Sequence, residues 1–160
     1  MEVVKFKAIS KQTGIWVYGD LIHKNEKVYI YTNGKEIEVT EETVCQFTGV
    51  YDKTGKEIYD NDVIHYYGIK TYCVNPDCEP YNFIYDDYLL KMEDVVEFID
   101  SGFMVDGTPL AYIGFESVAD IKSFIRYTEE DGKFYDSDGN EITENMCGVV
   151  VVSNKFDEVL

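Results

Sequence analysis

Alternation of apolar and polar residues with a period of two dominates the start of the chain. In the stretch up to residue 10, Val4, Phe6 and Ala8 fall on one face and Lys5 and Lys7 on the other. That is the signature of a half-buried strand. A Gly14 turn leads to a second strand over 15–23, where Gly19 marks a bulge or a close approach of backbone. The runs 28–32 and 35–39 flank Asn33-Gly34, the strongest local signal for a hairpin. Thr40 opens a single helical turn before a strand at 44–50. Turns at 52–55 and 60–62 then frame Ile58, Val63 and Ile64 as buried positions.

The period changes in the middle of the chain. Leu89, Met92, Val95, Val96 and Ile99 recur at helical spacing within 86–102. Asp86 and Asp87 suit the start of such a helix and Gly102 its stop. A second helix is predicted from Ser117, with Asp120 completing a capping box and Val118, Ile121, Phe124 and Ile125 forming its apolar stripe. Two short strands around Asp106-Gly107 occupy 103–115. The run 147–153 is apolar on both faces, which predicts a central or doubly covered strand. The chain therefore reads as mainly β with two helices, an α+β protein. The form x-x-Gly-x-Glu-Ile recurs at 32–37, 53–58 and 137–142, and reads as one hairpin solution used repeatedly.

Composition sharpens this picture. The chain has 160 residues, 45% of them hydrophobic, too apolar for a disordered polymer. Lys and Arg number 14 against 31 Asp and Glu, a net charge of −17. Such a surface repels phosphates and anionic lipids, so neither nucleic acid nor membrane is expected as a direct partner. A basic protein surface is. No apolar run approaches the roughly 18 residues of a membrane span, and the first ten residues lack the apolar core of a signal peptide. The expectation is a cytoplasmic protein with reduced thiols.

Candidate chemistry is thin. Cys73 and Cys78 frame a C-x4-C loop, but Cys45, Cys147, His23 and His65 are too scattered to complete a zinc site on spacing alone. These cysteines read as small apolar fillers, with a short bridge as the alternative. Asp136-Ser137-Asp138-Gly139 falls short of a calcium loop, because Phe134 and Asn145 stand where the template needs acids. Cys45 and His65 are the one nucleophile–base pair to consider. No cofactor is expected. Tyr66, Tyr67, Tyr72, Tyr81, Phe83, Tyr85 and Tyr88 cluster around the C-x4-C loop, either as a contact surface or as packing for that segment.

Three segments carry a family resemblance. Lys5-Phe6-Lys7-Ala8, Trp16-Val17-Tyr18-Gly19 and the run Gln46 to Ile64 (QFTGVYDKTGKEIYDNDVI) resemble the YopX family of bacteriophage and prophage proteins. Its pattern reads K-F-R-A-W, W-V-Y-G and Q-F-T-G-x-x-D-K-x-G-K-E-I-Y-E-G-D-I-V. Gly148-Val149-Val150 and Asp157-Glu158-Val159-Leu160 are similar to its ending. Asn61 replaces the family's glycine, a tolerable substitute where φ is positive, and the tryptophan of the first motif is absent. The resemblance implies a small SH3-like β-barrel body from 1–66 plus 146–160, with 67–145 as an inserted α+β segment. It also implies a phage setting, homo-oligomerisation, and no catalytic residues to carry over.

These strands of argument point to a non-enzymatic phage accessory protein in the cytoplasm of the bacterial host. The favoured reading is a counter-defence inhibitor that presents an acidic surface to a basic host protein, in mimicry of nucleic acid. The predicted helix supplies the face: Asp86, Asp87, Glu93, Asp94, Glu97 and Asp100, with Tyr81 and Tyr85 beside it. The alternatives are an oligomeric binder of a small ligand or nucleotide signal, and a phage structural or interaction protein. The ligand binder needs a cluster of basic groups, and Arg126 is the only arginine.

Overall fold

Hairpins account for most of the architecture. A computed structural model describes residues 5–75, 77 and 83–157. The strands are β1 (Phe6–Ile9), β2 (Trp16–Lys24), β3 (Lys27–Thr32), β4 (Lys35–Glu38), β5 (Cys45–Tyr51), β6 (Glu57–Tyr59) and β7 (Asp62–Cys73). They continue as β8 (Tyr85–Ile99), β9 (Gly102–Val105), β10 (Thr108–Pro109), β11 (Tyr127–Glu130), β12 (Lys133–Asp136) and β13 (Val150–Asn154). One α-helix, α1 (Val118–Phe124), and 3-10 turns at Glu41–Thr43, Leu110–Tyr112 and Glu144–Met146 complete the described residues. The sheets run β4-β3-β2-β1-β5-β6, β10-β9-β8-β7-β13 and β11-β12. Residues group into two compact units. The first holds Met1–Ile64, Asp94–Ala111 and Val150–Leu160; the second holds His65–Glu93 and Tyr112–Val149.

In the first unit, β1 pairs β2 with Lys7 opposite Tyr18 and Ile9 opposite Trp16. Its other edge pairs β5, with Lys7 opposite Cys45. The pleat then sorts the side chains. Ala8, Val28, Ile30 and Val39 form a buried cluster with Phe6, Val17, Leu21 and Val44 against it. Cys45, Phe47 and Tyr59 form a separate cluster with Trp16 and Phe156. Gly19 is required by close approach: a Cβ there would lie 2.1 Å from the Tyr31 carbonyl oxygen. Among the described residues the small β-barrel expected for the body does not close. The six-stranded sheet ends at β4 on one side and β6 on the other. The Ser10–Val39 bridge, with Lys11 N–H donating to Glu38 O at 3.0 Å, ties the end of β1 to the residues after β4 without extending into a ladder.

The turns bear out the repeated hairpin in two of its three copies. Asp52 N–H donates to Lys56 O at 2.7 Å and Asp136 N–H to Asn140 O at 2.9 Å. In each turn the Asp Oδ1 accepts from the backbone two and four residues on, and the glycine is left-handed, Gly55 at φ 88° and Gly139 at φ 84°. Ile58 and Ile142 then point into their cores. The third copy differs: Asn33 and Gly34, both with positive φ, make a two-residue turn closed by Thr32 opposite Lys35.

Two expectations are corrected. Residues 86–102 form strand β8 and a turn, not a helix. Their helical spacing also fits a strand with apolar residues on both faces, and β-branched and aromatic residues (Val95, Val96, Ile99, Tyr88, Phe98) favour extended backbone. Asp100 and Ser101 take φ of 49° and 71° and fold β8 back on β9, with Ile99 opposite Gly102. Strand β13 is not central but lies at the end of its sheet, and Val152 is 44% exposed. Helix α1 does form where predicted, with Ser117 Oγ accepting from Asp120 N–H at 3.2 Å. Its Ile121 and Ile125 pack with Ile142 and Cys147 in the second unit.

Candidate binding surfaces

The acidic residues expected on one helix face are dispersed by the strand. Alternation along β8 separates Asp86 from Asp87 and Glu93 within the second unit and Asp94 from Glu97 within the first, and Asp100 sits in the turn. Asp86, Asp87 and Glu93 belong to the second unit, and Asp94, Glu97 and Asp100 to the first. Glu93 is tied to His65, Oε2 to Nε2 at 2.6 Å, and Asp87 accepts from Thr71 Oγ1. Tyr81 and Cys78 lie outside the described residues.

What the structure does bring together in the second unit is an arm made by the end of β7 and the start of β8. Val74 N–H donates to Ile84 O at 2.8 Å, and the Tyr72 and Tyr88 rings meet edge-on at 5.6 Å. Tyr72, Val74, Phe83, Ile84 and Tyr85 are between 45% and 60% exposed. Asp77, Asp86 and Asp87 stand exposed beside them. Of the sequence-predicted set, Tyr85, Asp86 and Asp87 are therefore neighbours.

Sequence reasoning missed a second feature, a cleft of about 380 Å³ in the first unit lined by Lys5, Lys7, Tyr18, Lys56, Glu57 and Tyr59. Register builds it. Lys7 and Tyr18 are opposite one another on β1 and β2, and Phe47 on β5 faces Tyr59 on β6. The Lys7 ammonium donates to Asp62 Oδ1 at 2.8 Å and lies 4.7 Å and 4.8 Å from the ring centres of Trp16 and Tyr59. Asp62 also accepts from Tyr59 N–H at 2.8 Å and Asn154 Nδ2 at 2.9 Å. Asn61, at φ 69°, makes the turn that delivers Asp62, so it fills the left-handed role of the glycine it replaces. Lys5 holds both Glu57 oxygens at 3.0 Å, and the Tyr59 hydroxyl donates to Glu57 Oε1 at 3.3 Å. Burial first, then the nearby carboxylates, pushes the Tyr18 and Tyr59 hydroxyls above their ordinary range, so both stay protonated donors. Every lining residue lies in a segment that carries the family resemblance, with Lys7 as a basic residue in place of arginine. That coincidence was the signal in the sequence.

Cys45 does not behave as a nucleophile. It is fully buried, its Sγ donates to Thr43 O at 3.3 Å, and Asn61 and Asn154 amides approach it at 3.7 Å and 3.8 Å. Burial pushes its thiol up to about 11, the opposite of an activated thiolate.

No helix among the described residues is long and apolar enough to cross a membrane. No curated protein and no solved structure matches the chain significantly. The family model described as YopX protein matches residues 5–125. That span takes in all three signature segments and every side chain lining the lysine cleft, and on it the chain belongs to the YopX family.

Proposed function

We propose that this phage-associated protein is a non-catalytic accessory protein that docks on a basic host protein through the β7–β8 arm. One observation carries the reading: five apolar or aromatic side chains stand exposed on the arm with Asp77, Asp86 and Asp87 beside them. Exposed apolar and aromatic side chains on both faces of a two-stranded arm suit it for contact with a partner. The aromatic area supplies affinity, and the carboxylates, within a chain of net charge −17, steer a basic partner and speed the encounter. For a protein of the bacterial host cytoplasm whose partner normally binds nucleic acid, such docking blocks the nucleic-acid site. That makes it a counter-defence inhibitor by charge mimicry.

The test is capture of host proteins on the immobilised chain, compared with the variant Asp86→Lys/Asp87→Lys/Tyr85→Ser. The expected result is a strongly basic protein retained by the parent and released as salt rises from about 0.05 to about 0.5 M. The triple variant does not retain it. A partner held equally by both, or insensitive to salt, overturns the reading.

A further inference from the structure

In a protein of net charge −17, three lysines converge on the cleft beside β1, β2 and β6. The buried Lys7–Asp62 pair brings one of these ammonium groups to the cleft, and a buried ion pair by itself is weak evidence of a stabilising role. The two partners are satisfied unequally. Asp62 accepts three hydrogen bonds, from Lys7, Tyr59 and Asn154. The Lys7 ammonium gives one and otherwise faces aromatic rings, which leaves donor capacity at the cleft. Lys56 lines the same cleft and makes no ion pair among the described residues. Lys5 holds both Glu57 oxygens and Lys7 is paired with Asp62, so Lys56 supplies the cleft's uncompensated positive charge. Tyr18, 43% exposed, adds a ring set edge-on to Tyr59 at 5.8 Å. The volume, about 380 Å³, falls in the range of small-molecule sites.

We propose that this cleft binds a mononucleotide, its phosphate against Lys7 and Lys56 and its base against the exposed ring of Tyr18. The two ammonium groups recognise the dianion through charge-assisted hydrogen bonds, and stacking on the Tyr18 ring recognises the base without demanding its identity. The site is separate from the β7–β8 arm and does not depend on the role given to it.

Isothermal titration calorimetry with AMP, adenosine and inorganic phosphate tests this on the full chain. AMP is expected to bind at least about tenfold more tightly than either fragment, since each supplies only half the contacts. Lys56→Gln weakens AMP binding about tenfold or more, the worth of one hydrogen bond to a charged group. Tyr18→Ala weakens AMP binding but not phosphate binding. Both residues are partly exposed, and thermal unfolding of the ligand-free variants confirms that they fold. The arm variant Asp86→Lys/Asp87→Lys/Tyr85→Ser binds AMP as the parent does, so the two readings fail independently. Absence of AMP binding, phosphate as tight as AMP, or AMP binding unchanged in Lys56→Gln each overturns the proposal.

Discussion

Lys7 Nζ donates to Asp62 Oδ1 at 2.8 Å across 55 positions of sequence, with both side chains almost out of solvent, 8% and 1% exposed. The pair joins β1 to the start of β7. Its partners are unequal, and the variants are expected to show it. Lys7→Met leaves one buried carboxylate with two remaining donors, whereas Asp62→Leu strands Lys7, Tyr59 N–H and Asn154 Nδ2 together. Each single change costs about 3–5 kcal/mol, with Asp62→Leu the larger, and the double change costs less than their sum. Urea unfolding of the four proteins measures the cycle; additive losses would show that the pair is not coupled.

Asp52 and Asp60 carry opposite pH signatures. Burial alone would raise the Asp52 carboxyl, but Thr54 Oγ1 at 2.6 Å, Val151 N–H at 3.0 Å, Lys56 N–H at 2.9 Å and Thr54 N–H at 2.8 Å outweigh it and lower it. Its contribution to stability is present above the unfolded carboxylate value, about 3.9, and is lost as pH falls through the lower folded value. Asp60 is raised, by burial first, despite the Phe98 N–H at 3.1 Å. Its ionisation weighs against the fold as pH rises through the unfolded value and then the folded one. Asp52→Asn is therefore expected to cost about 1–3 kcal/mol at pH 7, with the gap to the parent narrowing below about pH 4. Asp60→Asn is neutral or stabilising at pH 7, and its difference vanishes in acid. Denaturant midpoints from pH 3 to 7 check both signs.

Gly19 and Gly34 are needed for different reasons, and alanine separates them. At Gly19 the added Cβ meets the Tyr31 carbonyl at 2.1 Å, a backbone atom with little room to move. At Gly34 nothing lies within 4 Å, but φ is +76°. Gly34→Ala is expected to cost about 1–2 kcal/mol, the strain of left-handed backbone with a Cβ. Gly19→Ala costs more, at or above the upper end of the roughly 1–3 kcal/mol seen for overpacking. Thermal unfolding of the two variants ranks them, and the reverse order would remove the close approach of β2 and β3.

Local signals were legible and long-range ones were not. Asn33-Gly34, the Asp106-Gly107 turn, the Ser117 cap and the twin turns at Asp52 and Asp136 act within a few residues, and each formed as the sequence implied. Strand β8 was misread because Leu89, Met92, Val95, Val96 and Ile99 satisfy a helical period as well as a doubly covered strand. The deciding turn, Asp100-Ser101, lacks the Asn-Gly chemistry that announces a hairpin. The acidic face failed with the helix that was to carry it, because a period of two sends neighbouring carboxylates to opposite sides. The cleft stayed hidden for another reason. Its charges come from Lys5 and β1, the Lys56 turn and β6, and only the pairing of distant strands makes them neighbours.

The turn at Asp100-Ser101 offers a test of that strand by the sign of one effect. Both residues sit in left-handed backbone, φ 49° and 71°, which costs about 1–2 kcal/mol for a residue with a Cβ. Ser101→Gly removes that strain at its position, and Asp100→Asn moves toward the Asn-Gly pair that two-residue hairpins favour. Were residues 86–101 helical, glycine in the last turn would instead lower stability by up to about 1 kcal/mol, through lost helix propensity. The hairpin therefore predicts that Asp100→Asn/Ser101→Gly raises the urea midpoint, and a helix predicts that it falls. Val96 and Val105, opposite one another and fully buried, pack the strands just before the turn closes. The added stability is thus expected to vanish in Val96→Ala, where the hairpin loses the packing that holds β9 against β8.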